Sequence, residues 1–224
     1  MGDDLTPGPV QVPVTVALRI FIITDEAGNS PFADDSVVAS DVAIASSIWQ
    51  QAGVSLVTES VRAWVAPELL NVTGAETALV RGHDWDPGQA HVDVYYIEST
   101  DKGAGSSPFP WDDGPHGIIL TDQEENMPKN AANWRGIALA PEFGHYLGLL
   151  HTHAGDPSKD ASYTDHCDDT AIADPFNVMT QGQRGRSKDP QRIHLTADQI
   201  ARARGYLFGS WPNLVEDVIV AVLP

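Results

Sequence analysis

The chain has 224 residues, and its 31 Asp and Glu against 13 Lys and Arg give a formal net charge of −18. That balance repels phosphate backbones and excludes nucleic-acid binding through a basic face. A hydrophobic content of 42% suffices for a sizeable core, yet no run approaches the roughly 18 consecutive apolar residues of a membrane span. Met1-Gly2-Asp3-Asp4 carries no basic n-region and no apolar h-region. A cytoplasmic location is therefore the expectation, with secretion as the alternative if a leader has been removed. The single cysteine, Cys167, excludes an intramolecular disulfide. No basic neighbour activates it, so it reads as an inert thiol.

Residues 1–13 hold Pro7, Pro9 and Pro13 and read as an irregular lead-in; residues 14–224 read as one domain with a smaller C-terminal part from 151. Val14, Val16, Leu18, Ile20 and Ile22 alternate with a second, largely apolar set, which predicts a strand covered on both faces. Val38, Val42, Ala45, Trp49 and Ala52 then recur at helical spacing, opened by Asp34, Asp35 or Ser36 and stopped by Gly53. Further strands are expected at 54–65, 91–98 and 117–120, and a second helix at 131–149. Residues 151–191 read as loop. A last helix starts at the capping box Thr196-Ala197-Asp198-Gln199 and runs to about Phe208. This order predicts an α/β fold, a twisted mixed sheet backed by a helix.

Chemistry concentrates in Pro141-Glu142-Phe143-Gly144-His145-Tyr146-Leu147-Gly148-Leu149-Leu150-His151. A histidine and a glutamate three residues before it share a helix face, and a glycine three residues after it lets the chain turn so that another histidine approaches. The segment resembles the elongated zinc-binding motif of the metzincin metallopeptidases, H-E-x-x-H-x-x-G-x-x-H. Glu142, His145, Gly148 and His151 fall in place, whereas the first histidine is replaced by Pro141. Asn177-Val178-Met179-Thr180, 28 residues beyond His151, looks like the Met-turn that floors the metzincin zinc. Cys167-Asp168-Asp169-Thr170 is similar to the acidic segment of pappalysin-like members, and Leu195–Ile200 to the start of their C-terminal helix. The resemblance implies a metzincin-like zincin fold with an active-site helix and a Met-turn. It also implies zinc held by His145 and His151, and Glu142 as the general base.

Pro141 cannot ligate a metal, and in a helix interior it costs roughly 3 kcal/mol. A kink, a helix restart or a bound group must then compensate. Pappalysin-like enzymes also carry a tyrosine two residues after the methionine, where this chain has Gln181. A working metal site needs a substitute ligand, for which His153, Asp156 and His166 are the candidates; otherwise the two histidines are a metal-free inheritance. Asp156, Asp160, Asp165, Asp168 and Asp169 could hold a structural calcium or form a solvated acidic loop. Trp111 either lines a pocket or packs. The functions open to the chain are thus three. They are zinc-dependent peptide hydrolysis, a repurposed enzyme using Glu142 on a small molecule without protease zinc, and a non-catalytic protein binding a peptide or small molecule in the old cleft.

Overall fold

A computed structural model describes residues 12–30, 33–101, 103–121, 134–152, 165–171, 174–180 and 189–209. In chain order the elements are β1 (Val14–Thr24), α1 (Asp35–Trp49), β2 (Val54–Val65), β3 (Asn71–Val72), α2 (Thr77–Arg81) and β4 (His91–Ile97). They continue with β5 (Ser99–Thr100), β6 (Gly105–Ser106), β7 (Ile118–Thr121), α3 (Trp134–Tyr146) and α4 (Ala197–Gly209). The main sheet has the order β2-β1-β4-β7-β6. Its first four strands are parallel, and β6 runs antiparallel to β7 at the edge. This is the mixed α/β sheet that the sequence pattern predicts.

β1 sits inside the sheet and is apolar on both faces. Val14, Val16, Leu18, Ile20 and Ile22 face the helices α1 and α3, while Phe21 and Ile23 join Val80, Tyr95, Ile97 and Ile119 in a second cluster. The one charge on that second face, Arg19, is neutralised by buried Asp93, which accepts from Nε at 2.7 Å and from Nη2 at 3.0 Å. Between Leu18 and Arg19 the β1–β2 register slips by one residue, at Glu59.

α1 begins where the side chain of Asp34 accepts from the amides of Ser36 and Val37, both at 2.9 Å, which satisfies two donors of the first turn. The helix passes into a short 3-10 turn and stops at Gly53, which takes φ +67°. α3 packs on α1 with glycine at the contact. A Cβ at Gly136 would lie 2.6 Å from Cβ of Ile44, so only glycine allows this approach. Trp49 of α1 completes the junction by donating its indole N–H to Ala140 O at 2.9 Å, inside the core. The expected capping box also forms. Thr196 Oγ1 accepts from Gln199 N at 3.3 Å, and Gln199 Oε1 accepts from Thr196 N at 3.1 Å.

Three differences from the sequence pattern have local causes. The helix expected over 131–149 ends at Tyr146, because the chain turns left-handed at Gly148; residues 131–133 lie outside the described residues. The strand expected over 91–98 stops at Ile97. The short elements β3, β5, β6 and α2 carry too few residues to show a period and were not anticipated. Residues from both parts of the chain, Val16 and Leu207 among them, share the larger apolar cluster. No helix of the described residues is long and apolar enough to cross a membrane.

Asp41 is the one acid buried between α1, α3 and β4. Desolvation pushes its carboxyl up to about 6, against the charge of Arg135 and a hydrogen bond donated by Tyr96 Oη at 3.2 Å. The folded state therefore holds this proton more tightly than the unfolded chain. Its contribution is full below about pH 4 and is lost as pH rises through about 6, on the order of 3 kcal/mol. Asp41→Asn should remove that slope. The gap in Tm between wild type and variant should shift against the wild type from pH 4 to pH 7.

Candidate metal centre

α3 runs through Pro141 without a break, and Pro141 is buried. Of the compensations the sequence left open, helix restart is not the one used. Glu142 and His145 follow on this helix, the glutamate half-buried and the histidine buried. Phe143 and Gly144 turn to the other side. Gly144 is pressed by Met179, whose sulfur would stand 2.6 Å from a Cβ there, so the methionine packs directly behind the histidine-bearing turn.

The helix closes on a left-handed glycine. Gly148 (φ +77°) donates to His145 O at 2.8 Å, and Leu149 donates to Gly144 O at 2.9 Å. That pair of bonds is the Schellman motif, which a Cβ at Gly148 would strain. A second constraint acts at the same point, since a Cβ there would stand 2.5 Å from the ring of Tyr206 on α4. Arg202 of α4 adds a bond from its Nε to Gly148 O at 2.9 Å.

The turn brings His151 back to His145, with Nε2 of each 3.1 Å apart. His145 Nδ1 lies 2.7 Å from Leu149 O. A carbonyl only accepts, so Nδ1 carries the proton and Nε2 presents a lone pair toward His151. Two imidazole donors, each about 2.0–2.1 Å from one tetrahedral zinc, stand about 3.3 Å apart. The spacing and the tautomer therefore fit two ligands of one metal ion. A backbone carbonyl orienting the far nitrogen is the usual partner of a ligating histidine. Phe109 covers His145 edge-on at 5.2 Å, and Trp111 stacks on Phe109 at 4.8 Å. Trp111 also touches Tyr206 and is 49% exposed, so it packs with part of its ring open to solvent.

The third ligand is not found among the described residues. They contain no group of three His, Cys, Asp or Glu side chains that could hold a metal ion. His166 is exposed at φ +60° and does not complete such a group. His153, Asp156, Asp160 and Gln181 lie outside the described residues. The described acids of the expected calcium loop serve hydrogen bonds. Asp165 accepts from Cys167 N at 3.1 Å, and Asp169 accepts from Asp198 N at 3.1 Å. Desolvation pushes the Asp169 carboxyl up, but Thr196 and the first amides of α4 outweigh it and lower its pKa. Burial, with Asp165 beside it, pushes the Cys167 thiol up to about 11, as an inert thiol requires.

Residues 177–180 turn beneath α3. Asn177 Oδ1 accepts from Met179 N at 2.8 Å, and Met179 O accepts from Thr152 N at 3.0 Å, immediately after His151. Buried Gln199 bonds Asn177 reciprocally, at 2.9 and 3.1 Å, so α4 fixes this turn. Sequence inspection passed over Gln199 in this role, and over Gly105. A Cβ at Gly105 on the edge strand would stand 2.8 Å from Cγ of Glu142.

Comparison with solved structures decides the architecture. Mature mirolysin of Tannerella forsythia, in complex with a cleaved peptide, superposes with TM-score 0.67 at 11% identity over 92% of this chain and 97% of that one. Mirolysin with a bound compound gives TM-score 0.67 at 13% identity, over 95% and 99% of the two chains. Promirolysin of the same organism gives 0.63 at 12%, over 92% and 83%. The fold is metzincin-like. At these identities the likeness is one of fold, and no family model and no curated protein matches the sequence. Within that metzincin-like frame the histidine pair occupies the end of α3, beside the antiparallel edge strand.

Gly148 is the point at which this geometry is most exposed to substitution. Gly148→Ala should lower Tm by about 4 °C or more, from the left-handed backbone together with the Tyr206 clash. Gly209→Ala, where a Cβ meets nothing within 4 Å, should leave Tm unchanged within about 2 °C. Thermal melts followed by circular dichroism compare the two.

Proposed function

We propose that the protein is a metallopeptidase-like hydrolase of the pappalysin-like type, acting on peptides through a reduced histidine site. The observation that carries this reading is the 3.1 Å approach of His145 Nε2 to His151 Nε2, with His145 Nδ1 engaged by Leu149 O. His145 and His151 would hold zinc, which supplies Lewis-acid polarisation of the scissile carbonyl. A third donor would come from outside the described residues, with His153 the nearest in sequence. Glu142 would take the proton of the attacking water at a carboxylate oxygen and return it to the leaving amine. The outer edge of β6 would align the extended peptide by strand addition. Met179 would act as the floor of the site, and Asp168-Asp169-Thr170 would brace it through the start of α4.

Pro141 supports a second reading. Loss of one histidine removes a ligand, and removal of a mere supporting partner already costs about 10–100-fold in metal affinity. On that reading the cleft either binds a peptide without cleaving it, or uses Glu142 on a small molecule with no protease zinc.

Metal titration of purified protein separates the readings. Wild type should bind one zinc per chain, and His145→Ala and His151→Ala should abolish binding. Pro141→His should add little where a third donor outside the described residues completes the site, and should tighten binding about tenfold or more where none does. Equal affinity in wild type and Pro141→His would mean that the chain already supplies a third ligand. Absence of zinc in wild type together with absence of turnover would support the second reading.

Glu142→Gln preserves shape and removes the base, so it should leave zinc affinity nearly unchanged and lower kcat about 10²–10⁴-fold. Retained turnover of a fluorogenic peptide would remove Glu142 from the chemistry.

A further inference from the structure

Arg81 ends α2 far upstream of the histidine helix, and its guanidinium lies under the edge of the sheet. Nε donates to Gly117 O at 3.0 Å, and Nη2 donates to Ser106 Oγ at 2.7 Å. Gly117 leads into β7 and Ser106 belongs to β6, so one side chain spans the last two strands of the sheet. β6 needs such a tie. Its ladder with β7 is short, Gly105↔Leu120 and Ser106↔Ile119. Thr121 secures the end at Gly103 and Ala104, through N to Ala104 O at 3.0 Å and Oγ1 to Gly103 O at 2.8 Å, while Arg81 holds the Ser106 end.

The other side of β6 meets Glu142. A Cβ at Gly105 would stand 2.8 Å from Cγ, 2.9 Å from Oε1 and 3.0 Å from Cδ of Glu142, so the carboxylate rests directly on the bare backbone of the strand. Burial pushes the Arg81 guanidinium down from its ordinary value, and the negative charges of Glu142 and then Asp112 hold it up. Cation, edge strand and carboxylate thus form one stack. A lysine in place of Arg81 offers a point charge and cannot reproduce the planar fork that reaches both strands.

We propose that Arg81 is a positioning residue of the cleft, which ties β6 to β7 so that the backbone of Gly105 sets the place of the Glu142 carboxylate. The proposal deepens the reading of Glu142 as the base and rests on it for its catalytic consequence, while the tie between the strands stands independently. Nothing in the sequence motif contains Arg81 or Gly105, and their roles follow from contacts alone.

The test compares Arg81→Met, Arg81→Lys and Gly105→Ala with wild type in the full chain, and takes exposed Leu79→Ala on α2 as the control. Hydrogen exchange of the amides over 104–106 and 118–121 should accelerate about tenfold or more in Arg81→Met and less in Arg81→Lys, while β1 and β2 remain protected. Gly105→Ala should leave that exchange near wild type. In both Arg81→Met and Gly105→Ala, labelling of Glu142 by a carbodiimide and glycine ethyl ester should change by about twofold or more, while zinc affinity stays within about twofold of wild type. With a fluorogenic peptide, kcat should fall about tenfold or more in both. Unchanged exchange in Arg81→Met, or unchanged Glu142 labelling in Gly105→Ala, overturns the proposal. A wild type that hydrolyses no peptide overturns the hydrolase reading instead, and the exchange and labelling results still decide the role of Arg81.

Discussion

One left-handed residue organises the candidate centre. Gly148 lets α3 stop after His145 and sends the chain back, so that two residues six apart in sequence place their Nε2 atoms 3.1 Å apart. The same turn supplies the carbonyl of Leu149, which fixes the proton on His145 Nδ1 and leaves Nε2 with its lone pair directed at His151. Backbone geometry, ligand spacing and tautomer are therefore set together. The ring of Tyr206 fills the space where any side chain at this position would stand, so α4 makes the constraint steric as well as conformational.

Around that turn, the molecule is built from close approaches that only small residues permit. Gly136 lets α3 lie on α1, Gly144 admits Met179, and Gly105 admits the Glu142 carboxylate. Each contact brings a large or charged group to a helix or strand backbone at the expense of side-chain packing. Polar bonds then hold the pieces in register. Trp49 reaches Ala140 O just before Pro141, Gln199 holds Asn177 below the histidines, and Arg81 spans β6 and β7. Pro141 is accommodated within this frame, with the helix kept continuous, so a proline at this position leaves the fold in place.

The proposed histidine site and the frame that carries it make separate demands on the sequence. The fold needs the helix, the turn and the methionine beneath it, and these depend on Gly144, Gly148 and Met179. Metal affinity needs donors, and here two of them sit at a spacing suited to a tetrahedral ion while the first motif position carries none. Several of the described acids cap helices or hold loop amides, as Asp34, Asp165 and Asp169 do.

Much of this was legible in the chain itself. The two-sided apolar alternation of Val14–Ile23 fixed an interior strand, the spacing of Val38, Val42, Ala45 and Trp49 fixed its backing helix, and Thr196 with Gln199 marked the start of α4. The interval from Glu142 through Gly148 to His151, with Met179 beyond, resembles the metzincin motif, and that resemblance pointed to the metzincin-like architecture. The helix and the left-handed glycine within it are local properties that sequence spacing encodes. Other features were decided only by the tertiary structure. Two-residue strands such as β6 have no period to read, and the charge pairing of Arg19 with Asp93, the burial that raises Asp41, and the stack of Arg81, Gly105 and Glu142 join residues far apart in the chain. Such contacts depend on which faces the folded sheet brings together, and no spacing along a single sequence records that.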